Sequence, residues 1–378
     1  MVGKVITGER FVEHEDELDV KNQEEGQIYP MNGIKIDKGF YTLFELNRRF
    51  NASPKRVILD SDFQREDVWS PEGKAELVES VLMGLPLPIF YFSQDKYGNL
   101  IVVDGRQRLT ALFSYMNDDY KLKNLKILPD VNDRKFSELS PVQKARIEDF
   151  QIQAHVIMPP TPDRIKFDIF DRVNRGGMRL NKQEMRNALY QGAATRLLKT
   201  LSESDSFKEA TGKAFVREKR MKDKYILTRY ITFYLYRNHA LKDEKGEPYV
   251  YKDDIDELLG LGMDALNHMG EAELQKIEKL VLDGLKKSYF YLGEDGFRLS
   301  GGERRSPINM NVFETVMFIM QFLPFEKETV KNRIRNEVKN LLDKKEFREN
   351  IGNHRDGAAR LKWRLEQAEK VGRLFEGC

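Results

Sequence analysis

Apolar residues recur at three- and four-residue intervals along most of the chain and alternate only in its first half. Residues 1–36 are polar and poorly periodic, and are expected to form a leader or loosely docked arm. Residues 41–50 predict a short helix and 56–60 a strand. Ser70-Pro71-Glu72 reads as a strong helix start, with a capping hydroxyl, a first-turn proline and a carboxylate near the positive helix end. Leu77, Val78, Val81, Leu82 and Leu85 follow at helical spacing, and Pro86 and Pro88 end the run. Two apolar strands, 89–92 and 100–103, flank Lys96-Tyr97-Gly98-Asn99 and predict a hairpin. Leu109, Leu112, Phe113 and Met116 mark another amphipathic helix. Ser140-Pro141-Val142-Gln143 is a capping-box pattern, 151–158 alternates weakly as a strand, and Thr161-Pro162 starts a helix reaching about Val173. Asn174-Arg175-Gly176-Gly177 breaks that helix, and Asn181 with Glu184 opens the next.

Beyond residue 193 the strand signals nearly vanish. Helices are expected over 255–266, 271–285, 307–323, 326–342 and 358–375. The pattern therefore predicts an α+β fold class: an α+β N-terminal domain followed by an all-α helical domain. The expected divisions are an arm at 1–36, a domain at 37–195 and a helical domain at 196–378. A chain of 378 residues exceeds one ordinary core, which agrees with that division. No internal repeat or low-complexity tract interrupts it.

Charge changes the picture little in total and much in detail. There are 63 basic and 61 acidic residues, a smaller excess than a protein devoted to coating nucleic acid would show. The one cysteine, Cys378, excludes an internal disulfide and a cysteine-based zinc site. The acidic text around His14-Glu15-Asp16-Glu17 does not suit a secretory signal, and the most apolar stretches are too short to span a bilayer. A cytoplasmic location and no membrane partner are expected.

The candidate chemistry lies in Val102-Val103-Asp104-Gly105-Arg106-Gln107-Arg108-Leu109. A strand ends, a glycine permits a tight turn, and a helix begins at once. Its first backbone N–H groups lack internal partners and sit at the positive end of the helix dipole, a geometry that holds an anion readily. Arg106 and Arg108 fall in the first helical turn, where a cation is disfavoured by up to about 1 kcal/mol. Two arginines there suit a multiply charged anion bound through forked, charge-assisted hydrogen bonds. Asp104 fits beside a phosphate if it holds Mg²⁺, orients an arginine or positions water; the plainer alternative is a capping aspartate in salt bridges with the arginines. Gln64 and Arg65 offer an amide and a cation on the loop after the first strand, and Arg172, Asn174 and Gly176 could reach a ligand or simply cap a helix.

Taken in order, Phe63-Gln64-Arg65 with Trp69-Ser70, Leu85-Pro86-Leu87-Pro88, Asp104-Gly105-Arg106-Gln107-Arg108-Leu109-Thr110-Ala111 and Asn174-Arg175-Gly176-Gly177 with Leu180 and Glu184 resemble the N-terminal domain of the GmrSD-type modification-dependent restriction systems, over about residues 40–195. That resemblance implies a ParB/sulfiredoxin-like fold with a small mixed sheet. It implies binding, often with hydrolysis, of a nucleoside triphosphate (NTP) with Mg²⁺, used to control DNA cutting in defence against phage. The residues it carries over are Gln64, Arg65, Asp104, Gly105, Arg106, Gln107 and Arg108, together with Asn174 and Gly176; Asp104 and Arg108 would be catalytic, and Asp104 the metal ligand. The family usually has Asp-Gly-Gln-Gln-Arg, so Arg106 replaces an amide with a second cation. Expected partners are the nucleotide, with DNA and a nuclease partner as further candidates. No P-loop is present.

The helical half shows no second chemistry. Its histidines are scattered, and Asn353-His354-Arg355 reads as a surface loop. Carboxylate-only metal chemistry stays open, as does a DNA-binding module in which nucleotide acts as a switch without turnover. The basic runs 217–222, 303–305 and 355–364 read singly as solvated faces. Tyr225, Tyr230, Phe233, Tyr234 and Tyr236 read as packing.

Overall fold

The computed structural model describes residues 34–59, 69–95, 97–173, 181–217, 220–243, 245–300, 305–352 and 357–377. Contacts gather these into two compact units, 34–189 and 190–377.

The first unit runs β1 (Ile36–Thr42), α1 (Leu43–Asn51), β2 (Val57–Ile58), α2 (Pro71–Leu82), β3 (Phe90–Gln94), β4 (Leu100–Asp104), α3 (Arg106–Met116), α4 (Pro141–Glu148), β5 (Gln151–Ile157), α5 (Asp163–Val173) and α6 (Lys182–Leu189). Its five strands form one mixed sheet in the order β1-β5-β3-β4-β2. β1 is antiparallel to β5, β5 parallel to β3, β3 antiparallel to β4, and β4 parallel to β2.

Local sequence explains most of these boundaries. Ser70 Oγ accepts from Gly73 N–H at 3.2 Å, with Pro71 in the first turn of α2. Ser140 and Gln143 exchange two hydrogen bonds, 2.9 and 3.3 Å, completing the expected capping box of α4. Asn181 and Glu184 do the same for α6, at 2.7 and 2.8 Å. In the β3–β4 hairpin, Asp95 Oδ1 accepts from the Tyr97 and Asn99 amides, both at 2.8 Å.

Three expectations need adjustment. Tyr41 belongs to a strand, and the helix starts only at Leu43, where Thr42 Oγ1 accepts from Glu45 N–H at 3.1 Å. β1 itself was not anticipated from the pattern, because it is an edge strand with a largely exposed face and no clean alternation. β2 holds only Val57 and Ile58 within the expected 56–60.

One sheet face is covered by α1 to α4. Phe90, Phe92, Leu100, Val102, Ile152, Ala154 and Val156 meet Leu46, Val78, Leu112 and Phe113 in a single core. Burying each of the larger aliphatic and aromatic side chains contributes roughly 1.5–3 kcal/mol relative to exposure. The opposite face carries a smaller cluster, in which Val103 and Ile157 meet Phe167, Phe170 and Met185 from α5 and α6.

The second unit is all helical: α7 (Ala193–Glu203), α8 (Asp205–Ala210), α9 (Lys222–Arg237), α10 (Ile255–His268), α11 (Glu271–Leu292), α12 (Met310–Met320), α13 (Glu328–Asp343), α14 (Lys345–Gly352) and α15 (Ala358–Arg373). α12 is apolar nearly all round, and Val312 to Met320 are all buried, so it forms the centre of the bundle. Tyr230 and Phe233 are fully buried in the same core, which makes the aromatic run of α9 packing, as its spacing suggests. Among the described residues no helix is long and apolar enough to cross a membrane.

An ionic cluster lies inside this bundle. Glu314 accepts from Arg229 Nε and, at 3.4 Å, from Arg364 Nη2, and all three side chains are buried. Removing one partner of such a group strands a buried charge, which costs about 3–5 kcal/mol. Glu314→Ala is therefore expected to lower the unfolding free energy, from urea denaturation followed by circular dichroism, by that amount. The exposed control Glu328→Gln should shift it by no more than about 0.5 kcal/mol. Equal shifts from the two would remove the ionic cluster from the account of this core.

Candidate functional site

β4 ends at Asp104, and Gly105 turns the chain with φ of 95°, a left-handed conformation. Glycine is required here twice over. A Cβ at position 105 would lie 2.2 Å from Cδ1 of Phe90, so the ring also leaves no room for a side chain. α3 begins at the next residue, with no side-chain cap and no acid in its first turn. Its first internal backbone bond runs from Leu109 N–H to Gly105 O at 2.9 Å. The preceding amides, those of Arg106, Gln107 and Arg108, lie ahead of that bond at the positive end of the helix dipole. Gln107 is exposed and Arg106 partly so, while Gly105 is buried.

Arg108 is held on several sides. Its Nη2 meets Asp104 Oδ2 at 2.9 Å and Ile89 O at 3.4 Å, and its Nη1 donates to Pro88 O. The guanidinium carbon stands 4.2 Å from the centre of the Phe90 ring. Burial lowers its pKa from the ordinary arginine value, and the neighbouring Asp104 carboxylate opposes that shift. An arginine stays protonated through such a change. The result is a fixed cation tying the β4–α3 turn to the entry of β3.

A β-bulge adds to the turn. Tyr91 pairs with Asp104 and Phe92 with Val102, so Val103 and Asp104 both stand against Tyr91. Bulges of this kind re-aim a side chain where pairing ends.

This turn and the elements around it lie inside a stretch, residues 42–191, that matches the family model of the GmrSD restriction endonuclease N-terminal domain. Residues 42–191 are a GmrSD-type N-terminal domain. The match opens at Thr42, the cap of α1, and closes just beyond α6, leaving β1 ahead of it and the helical unit after it. No curated protein and no solved structure matches the chain.

Within the GmrSD-type domain the structure brings Asp104, Gly105, Arg106, Gln107 and Arg108 into one turn. Gln64, Arg65, Asn174 and Gly176 lie outside the described residues, as does Asn353-His354-Arg355. Sequence reading missed the groups that hold Arg108: two backbone carbonyls have no side-chain signature, and Phe90 looks like any core strand residue. It also missed that the polar side chains of α6 are buried: Gln183, Arg186 and Asn187, together with the Glu184 that the sequence did single out. Arg186 Nη1 donates to Gln183 Oε1 at 2.7 Å, and its guanidinium faces Phe167 at 5.6 Å. Among the described residues no three His, Cys, Asp or Glu side chains gather as metal ligands.

The demand for glycine at 105 can be measured. Gly105→Ala should destabilise the protein by more than about 1 kcal/mol from the backbone conformation alone, with the ring clash added. In the double variant Gly105→Ala/Phe90→Ala the clash is gone, so the combined loss in thermal stability should fall short of the sum of the single losses. Strict additivity would mean that the ring does not set the turn.

Proposed function

We propose that the GmrSD-type domain binds an NTP with its phosphates against the N-terminus of α3, and that the protein serves a restriction-type defence system that acts on foreign DNA. We read its mixed sheet as a ParB/sulfiredoxin-like one. The observation that carries the reading is the turn itself: an uncapped helix N-terminus, set on a buried left-handed glycine, with two arginines and no acid in the first turn. That arrangement is unfavourable for the helix alone and favourable once an anion arrives.

In this reading the phosphate oxygens accept from the first amides of α3, and Arg106 supplies a partly exposed charge. Arg108 supplies a charge that is already in place and keeps Asp104 oriented. Asp104 offers a single hard carboxylate, which suits Mg²⁺, an ion commonly held by one or two carboxylates together with substrate phosphates rather than by an all-protein cage. When bound, Mg²⁺ would neutralise charge on the phosphates. Gln64, Arg65, Asn174 and Gly176 join the proposal by motif, and hydrolysis, DNA and a nuclease partner by the family.

Calorimetric titration of ATP, GTP, CTP and UTP with Mg²⁺ tests the site. Wild type is expected to bind at least one of them saturably. Arg106→Ala should weaken that binding roughly ten- to hundred-fold, the loss of charge-assisted hydrogen bonds. Arg108→Ala should lose both affinity and thermal stability, because its guanidinium also holds the Pro88 and Ile89 carbonyls. A folded wild type that binds none of the four would reduce the turn to a structural salt bridge.

A further inference from the structure

Asp104 and Arg108 form a closed pair within the turn itself. Arg108 Nη2 stands 2.9 Å from Asp104 Oδ2, and only 13% of the arginine side chain and 34% of the aspartate are exposed, so solvent screens the pair incompletely. The arginine cannot follow a departing carboxylate, because it also donates to the Pro88 and Ile89 carbonyls and rests over the Phe90 ring. Asp104, for its part, accepts from no other described residue, and α3 begins without a side-chain cap.

Two consequences follow for a phosphate chain arriving at this helix end. First, the carboxylate that would suit Mg²⁺ is already neutralised. A cation drawn to Asp104 meets the Arg108 charge as well, and has to break a charge-assisted hydrogen bond to take Oδ2. Second, the turn is cationic with no metal at all. From 104 to 108 two arginines stand with one carboxylate, and the first amides of α3 add the positive end of the helix dipole. Phosphate oxygens therefore find donors and compensating charge without a bridging ion.

We infer that the turn captures its phosphate chain free of metal: the ligand is the uncomplexed polyphosphate, held by the α3 amides and the arginine charge, while Asp104 stays engaged by Arg108. This rests on the nucleotide reading above and narrows it, because Mg²⁺ then has no part in the affinity. It also gives Asp104 a second role. A carboxylate beside a polyanion repels it, so Asp104 holds the affinity of the turn down.

Inorganic tripolyphosphate and the preferred NTP, each titrated into the whole chain first with Mg²⁺ and then with EDTA in its place, test this by calorimetry. Exchange of Mg²⁺ for EDTA is expected to weaken neither ligand by more than about threefold. A larger loss for either would overturn the inference and leave the phosphate site standing as a metal-bridged one. Asp104→Asn removes the charge and keeps an oxygen that accepts from Arg108. In EDTA it should bind tripolyphosphate roughly three- to tenfold more tightly than wild type, the relief of one partly screened like-charge repulsion. An Asp104→Asn chain that melts with wild type and binds no more tightly would overturn the inference too. The EDTA comparison needs no variant and decides alone if Asp104→Asn fails to fold. Failure of wild type to bind either ligand in either buffer would remove the phosphate site itself, and this inference with it.

Discussion

The Phe90 ring is the contact on which the rest of the turn depends. It lies so close to residue 105 that no Cβ fits there, and the Arg108 guanidinium rests over the same ring. Because the glycine is forced, β4 can turn into α3 without an intervening loop, and the first helical amides are delivered to the end of the strand. Because the arginine is anchored, Asp104 is held against the turn instead of capping the helix. Remove the ring and each of these loses its reason.

That dependence also explains how two arginines survive where the helix dipole opposes them. A cation in the first turn is disfavoured by a fraction of a kilocalorie to about 1 kcal/mol. Arg108 offsets this locally, through one carboxylate, two carbonyls and one aromatic face. Cation–π contact with a partly buried guanidinium contributes about 0.5–2 kcal/mol, enough to reverse the penalty. Arg106, in the same turn, is partly exposed, and solvent moderates its cost.

What could be read beforehand follows from how local each signal is. Ser70-Pro71, Ser140 with Gln143, and Asn181 with Glu184 each satisfy backbone donors within three residues, so sequence alone places those helix starts. The β3–β4 hairpin is equally local. β1 is different: Ile36-Asp37-Lys38-Gly39-Phe40-Tyr41-Thr42 pairs with β5 more than a hundred residues later, and its exposed side chains show no buried alternation. At the turn, Gly105 and the two arginines stand out in sequence, yet the role of Arg108 does not. Its partners Pro88, Ile89 and Phe90 come from the entry and first residue of β3, and two of them act through the backbone.

The same geometry divides the labour between the two arginines. A guanidinium that already donates to Asp104, Pro88 and Ile89 cannot swing out to follow a ligand without breaking those bonds. Its value to an arriving anion is a fixed positive charge that needs no reorganisation, the kind of preorganised electrostatics that is worth most in a partly dehydrated site. Arg106 stands beside it with its side chain partly in solvent, so the two cations of the turn share one helix end but not one environment.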